Sequence, residues 1–258
     1  HFQNSFKETK FQIPFRSNVI VLKDRSFLPK NILKSESFVS ADGANYILIE
    51  GDSDKDWSYV FSKYSKFLLS NNLGNRNIPA WLNEGIAEYF ASDFGNNPLL
   101  AQPNNLIAAN IFLETDYYTL ENQDEERKSI FANESLAFLN FLMGRKRSGN
   151  FENIEKLIQA LRAGRDCREA LSTIFDVKFS TIDLEFREFA KQQAAYLRLV
   201  SQSNLAFDFQ PESINESLGF AYLANYVYFS NRTEEATRLL IKSLEIEPEN
   251  SLANSTLA

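Results

Sequence analysis

Histidine is almost missing from this chain. Of 258 residues one is His, and it is His1. That excludes any metal site built on two imidazoles, and it leaves no imidazole base for a Ser or Cys nucleophile. Cysteine is as scarce: a lone Cys167 rules out an internal disulfide. It falls in the helical pattern Arg165 to Ile174 and reads as a packing or surface residue. No Gly-x-Ser-x-Gly elbow occurs. No apolar run approaches the roughly 18 to 20 residues that a membrane-crossing helix needs, so any anchor or signal peptide is expected outside this sequence. Positive charge is in the minority, with 27 Lys and Arg against 34 Asp and Glu and a net charge of −7. Nucleic acid is therefore disfavoured as a main partner, because neutralising phosphates needs a concentrated basic surface. The one basic cluster, Arg145-Lys146-Arg147 between Gly144 and Gly149, reads as cations complementing a helix C-terminus.

What is present is ordinary globular material, 44% hydrophobic and 24% charged, enough for one large core or two modest ones. Strand signals lie in residues 18–50. Asn18 to Lys23 is a β-branched run and Tyr46-Ile47-Leu48-Ile49 a second, with Pro29 and the Asp42-Gly43 turn signal between them. From Asp54 the pattern turns helical. Trp57, Val60, Phe61, Tyr64, Leu68 and Leu69 recur at i, i+3 and i+4 spacing on a helix that ends around Asn71 to Gly74. Pro79 is placed to open the next helix, which runs to about Ser92. Residues 93–127 show no clear period and are expected to be irregular connections. Helical patterns resume at Ser129 to Met143, Phe151 to Leu161, Arg165 to Phe175 and Ile182 to Leu199, with Met143 and the Phe positions as core.

The C-terminal segment has its own grammar. Leu223-Ala224, Ala236, Leu240 and Pro248 fall at the spacings of a tetratricopeptide repeat, and Leu257-Ala258 repeats the Leu-Ala pair 34 residues after the first. A generic helical hairpin fits the same residues. Such a repeat buries its core only by stacking on neighbours. The chain is therefore expected either to continue past Ala258 or to dock the repeat on preceding helices, and it reads as a fragment of a longer protein.

The densest signal is Trp81-Leu82-Asn83-Glu84-Gly85-Ile86-Ala87-Glu88-Tyr89-Phe90, read with Ser62-Lys63-Tyr64-Ser65-Lys66 on the helix before it. W-L-N-E-G-x-A is the form taken by the third-ligand helix of gluzincin zinc peptidases. With Val60-Phe61 before, Tyr64 in the middle and Leu68-Leu69 after, the preceding helix resembles the one that carries H-E-x-x-H, where two His bind zinc and the Glu is general base. The chain resembles the peptidase MA-like family, bacterial proteins that join such a domain to C-terminal tetratricopeptide repeats. The resemblance implies an α+β fold: a gluzincin-like domain over residues 1–205, with a small antiparallel sheet above a helical subdomain, then the repeat region over 206–258. It would make Asn45 to Glu50 the peptide-binding edge strand, although a plain core strand predicts the same pattern.

Laid over that pattern, the first His is Ser62, the general base is Lys63 and the second His is Lys66. Every position that would hold or use zinc on that helix is replaced. Glu84 stands at the third ligand, and Glu88, one turn on, at the carboxylate that orients a ligand His. Phe131 occupies the position of a Tyr that would donate to an oxyanion. The resemblance therefore implies no metal, no cofactor and no catalytic residue. Two carboxylates facing a helix raise each other's pKa unless a cation lies between them. Lys66 with Glu84 could replace the metal as an ion pair, or both Lys63 and Lys66 could reach solvent and leave Glu84 to favour a helix N-terminus.

The expected function is that of an inactive metallopeptidase-like module that binds a protein or peptide through its cleft or its repeat, extracytoplasmic as such relatives usually are. The alternative is a hydrolase with a non-standard site, for which Ser62 and Lys66 at i and i+4 supply a Ser-Lys dyad on paper.

Overall fold

A computed structural model describes residues 6, 11–12, 16–22, 38–41, 44–50, 57–73, 78–92, 106–145, 151–200 and 212–257. The fold is mostly helical with one small mixed sheet, an α+β arrangement. Two compact units emerge, one from residues 1–12 and 61–205, the other from 13–60 and 206–258.

In the second unit, β1 (Arg16–Leu22), β2 (Phe38–Ala41) and β3 (Ala44–Glu50) lie in the order β1-β3-β2. β1 runs parallel to β3 with Val19 opposite Ile47, and β2 runs antiparallel with Ala41 opposite Ala44. The sheet is thus mixed, not antiparallel, and Asn45 to Glu50 is its centre rather than an edge. The physical reason lies in the residues themselves. Tyr46, Ile47, Leu48 and Ile49 are all buried, and a continuous apolar run suits a strand covered on both faces. Ala41 pairs with Ala44 where the two strands meet, and the Asp42-Gly43 turn signal lies outside the described residues. A parallel partner such as β1 must instead arrive by a crossover.

Among the described residues that unit also has three helices: α9 (Glu216–Phe229), α10 (Thr233–Ile246) and α11 (Ser251–Leu257). Asn215 caps α9 through its side chain, and the turn into α10 places Asn231 at φ 61°, a left-handed value that Asn tolerates. Leu22, Tyr46 and Leu48 share one core with Ala221, Leu223, Tyr226 and Val227, and the Tyr46 ring stacks on Phe229 at 5.8 Å. The strands and residues 206–258 share one compact unit and one core, in which α9 covers the buried strand side chains.

The first unit is helical. It takes α1 (Trp57–Leu73) from Phe61 on, then α2 (Ala80–Ser92), α5 (Glu125–Arg145), α6 (Glu152–Arg162), α7 (Cys167–Phe175) and α8 (Ile182–Val200). Between α2 and α5 lie two short helices, α3 (Ala109–Glu114) and α4 (Tyr117–Glu121), where irregular chain was expected. They are too short to show a period. Asp116 starts α4 by accepting from Thr119 N at 2.7 Å. Asp124 does the same for α5, accepting from Arg127 N at 2.8 Å, so this helix begins at Glu125 rather than Ser129. Glu125 and Glu126 of the acidic run fill its first turn, where the helix dipole favours them.

The core of this unit is aromatic. Trp81 is fully buried and meets Phe138 edge to face at 5.0 Å, and Phe138 meets Phe186 of α8 at 5.1 Å. Such pairs add about 0.5 to 1.5 kcal/mol beyond burial. Arg145 complements a helix end other than its own. It donates to Phe175 O at 3.2 Å and Asp176 O at 3.0 Å, the last carbonyls of α7, and pairs with Glu185. Lys146 and Arg147 lie outside the described residues.

Candidate functional site

α1 turns Ser62, Ser65 and Leu69 inward, one face at i, i+3 and i+7. α2 presents Glu84 and Glu88, four residues apart and so on one face. Their side chains meet in a closed network. Lys66 Nζ lies 2.6 Å from Glu84 Oε2 and 3.8 Å from Glu88 Oε1, and Ser62 Oγ donates to the same Glu88 Oε1 at 2.5 Å. Of the two arrangements open to Lys66, the structure has the ion pair. Only 24% of the Lys66 side chain and 9% of the Glu84 side chain are exposed. Burial alone would push the Lys66 ammonium down, but the charges of Glu84 and Glu88 and hydrogen bonds to both outweigh it, and its pKa stands above the ordinary lysine value. Lys63 shifts the other way. Burial and then the positive charge of Lys66 hold it below its ordinary value, against a smaller pull from Glu84 and Glu125.

The helix that carries Glu84 also approaches α5 closely by its backbone. A Cβ at Gly85 would lie 2.6 Å from Ser135 O of α5, closer than any real contact. Glycine inside a helix costs about 1 kcal/mol against alanine, and here it permits α2 and α5 to touch. Phe131 sits in the second turn of α5, buried, with its ring centroid 5.2 Å from that of Phe112. It belongs to the aromatic core.

Zinc does not fit these residues. The ammonium of Lys66 occupies the Glu84 oxygen that a metal would need. Among the described residues no group of three or more His, Cys, Asp or Glu side chains gathers as a metal cage. Of the Ser-Lys pair, Ser62 Oγ donates its hydrogen bond to Glu88, and Lys66 pairs with Glu84, whose charge favours the ammonium. Cys167 opens α7, and burial first, then Asp166, pushes its thiol up to about 11, too high for a nucleophile.

One buried acid escaped the sequence reading. Glu134 of α5 is 1% exposed; its Oε2 accepts from Ile107 N at 3.0 Å while its Oε1 has no partner among the described residues. Burial raises its pKa to about 7, moderated by the Ile107 N–H and by Arg187. The signal was available: Glu134 interrupts the apolar face that runs from Phe131 to Phe138.

Comparison with family models, with curated proteins and with solved structures gave no match.

Proposed function

We propose that this chain is a catalytically inactive relative of gluzincin metallopeptidases of the peptidase MA-like type, working as a binding or scaffolding module for a protein or peptide. The carrying observation is the Lys66–Glu84 ion pair. The resemblance aligns Lys66 with the second zinc-binding His and Glu84 with the third ligand, two positions that must converge on a metal in an active peptidase. Here they converge on each other, and an ammonium supplies the positive charge. Ser62 and Glu88 meet in the same way. The resemblance pairs those positions as a ligand His and the carboxylate that orients it. Without imidazoles, a general base or an oxyanion donor at Phe131, the site has no group left to activate water.

The repeat reading is supported by the hairpin of α9 and α10, in which Ala224 and Ala236 are buried, with Pro248 just past the end of α10. Small buried residues let helices approach, as tetratricopeptide packing needs. The predominance of acidic residues fits a protein partner rather than nucleic acid. An extracytoplasmic location follows from the same resemblance and belongs to the proposal.

The test is to rebuild the site. Ser62→His, Lys63→Glu and Lys66→His together should bind roughly one zinc per chain by calorimetry, because Glu84 is already in place for a three-ligand site with one open position. The parent should bind none and cleave no peptide. A folded triple variant that binds zinc no better than the parent would remove the gluzincin assignment. Stoichiometric zinc in the parent, lost in Glu84→Ala, would remove the reading of inactivity.

A further inference from the structure

Residues 106–109, which lead into α3, are held by three side chains from two helices. Glu134 Oε2 of α5 takes the Ile107 N–H at 3.0 Å; Asp183 Oδ1 of α8 takes the Ala109 N–H at 3.1 Å; Arg187 Nη2 of α8 donates to Leu106 O at 3.4 Å. Arg187 is itself tied to Asp183 through Nε at 2.8 Å. Three polar side chains thus satisfy Leu106 O, Ile107 N–H and Ala109 N–H at the entry to α3, and that helix carries Phe112 into contact with Trp81 and Phe131.

The grip has one weak point. Asp183 and Arg187 are partly exposed and complete each other's charge. Glu134 is buried and its Oε1 meets no donor among the described residues. The charged groups that act on it are Arg187, which favours its ionised form, and Asp183, which opposes it. Residues 106–108 bring only backbone, and its helical neighbours Ile130, Phe131, Ala137 and Phe138 are apolar. On α2, Glu84 and Glu88 are turned to Lys66; on α3, Glu114 pairs with Arg168.

We propose that Glu134 is the proton-controlled catch of a latch: neutral, it closes residues 106–109 onto α5 and α8; ionised, it lets them open. Neutral Glu134 accepts the Ile107 N–H with no charge to solvate. Loss of the proton strands a carboxylate with one unpaired oxygen in an apolar surrounding, at a cost that structures relieve by movement. Two movements are at hand. Water can reach Oε1, which parts the segment from α5, or Arg187 can turn to Glu134 and abandon Leu106 O and Asp183. Both release the segment, and the range over which Glu134 titrates lies near neutrality.

The test follows amide hydrogen exchange at Ile107 and Ala109 in the whole chain, corrected for intrinsic exchange, between about pH 5.5 and 8.5. In the parent, protection should fall by about tenfold or more over that range, since one pKa unit corresponds to tenfold in population. Glu134→Gln should keep its protection flat. Carboxyl carbon shifts of labelled glutamate in the parent give a second measurement that needs no variant, and the Glu134 resonance should titrate near neutrality. A Glu134 that titrates in the ordinary glutamate range, or a fall in protection that is the same in Glu134→Gln, would overturn the proposal.

Discussion

Both units bury polar groups between helices, and they do it by opposite means. In the first, Lys66, Glu84, Glu88 and Ser62 form a charged network between α1 and α2. In the second, Ser217, Ser243 and Asn250 form a neutral one. Ser217 Oγ donates to Ser243 O at 3.0 Å, Ser243 Oγ returns a bond to Ser217 O at 2.8 Å, and Asn250 Nδ2 donates to Ser217 Oγ at 2.7 Å. Asn250 Oδ1 in turn accepts from Ala253 N at 3.1 Å and so caps α11. The neutral network closes through backbone carbonyls that stay whatever the side chains do. The charged one depends on each partner's presence, because removing a single ion leaves its mate buried and uncompensated. Polar burial used for packing can be neutral; the charged version makes each partner indispensable to the other.

The sharpest way to break that contrast is Lys66→Ala. It strands Glu84 beside Glu88 and should destabilise the first unit by about 3 to 5 kcal/mol in denaturant unfolding. Lys66→Met with Glu84→Leu, which removes both charges, should recover most of that loss. A Lys66→Ala cost below about 1 kcal/mol would class the pair with exposed salt bridges.

Next in size is the response to pH. Unfolded, Glu134 ionises near 4.5; folded, it keeps its proton to about 7. The folded state binds the extra proton between those values, so stability falls as pH rises through that window and then levels off. The loss is roughly 3 kcal/mol, from about 1.4 kcal/mol per unit. Glu134→Gln should flatten the slope. Lys66 acts far from this range: its raised pKa contributes stability below the ordinary lysine value that is lost only as pH climbs through the raised one.

The smallest effect belongs to the neutral network. Ser217→Ala removes one hydroxyl but leaves Asn250 its cap and Ser243 its carbonyl partner, so the cost should be about 1 to 2 kcal/mol with no dependence on pH. A larger cost than that of Lys66→Ala would invert the comparison.

The helices that carry the site were legible because each announces itself by a 3.6-residue period and a terminator. Pro79 precedes α2, and the expected end at Asn71 to Gly74 matches α1 closing at Leu73. The meeting of Lys66 with Glu84 was one of the two arrangements that the sequence left open. What the sequence concealed had no local signature. β2 is four residues long, α3 six and α4 five, below the length at which a period can register. The parallel pairing of β1 with β3, and the core that Leu22, Tyr46 and Leu48 share with α9, are matters of which distant segments meet. Glu134 was readable as an acid on an apolar face, yet its partner is a backbone N–H that no side-chain pattern reveals.

The division of the chain has a consequence for its birth. The second unit is assembled from residues 13–60 and 206–258, with the whole helical part of the first unit between them. A chain leaving the ribosome N-terminus first therefore delivers the strands early and their covering helices last. Domains fold as units during synthesis, so residues 61–205 can close while Leu22, Tyr46 and Leu48 still await α9. Over that interval the three strands hold a pairing surface with nothing to bury it, the state most open to chaperones and to misassociation. A stall or truncation between Glu50 and residue 206 would leave that vulnerable sheet as its product.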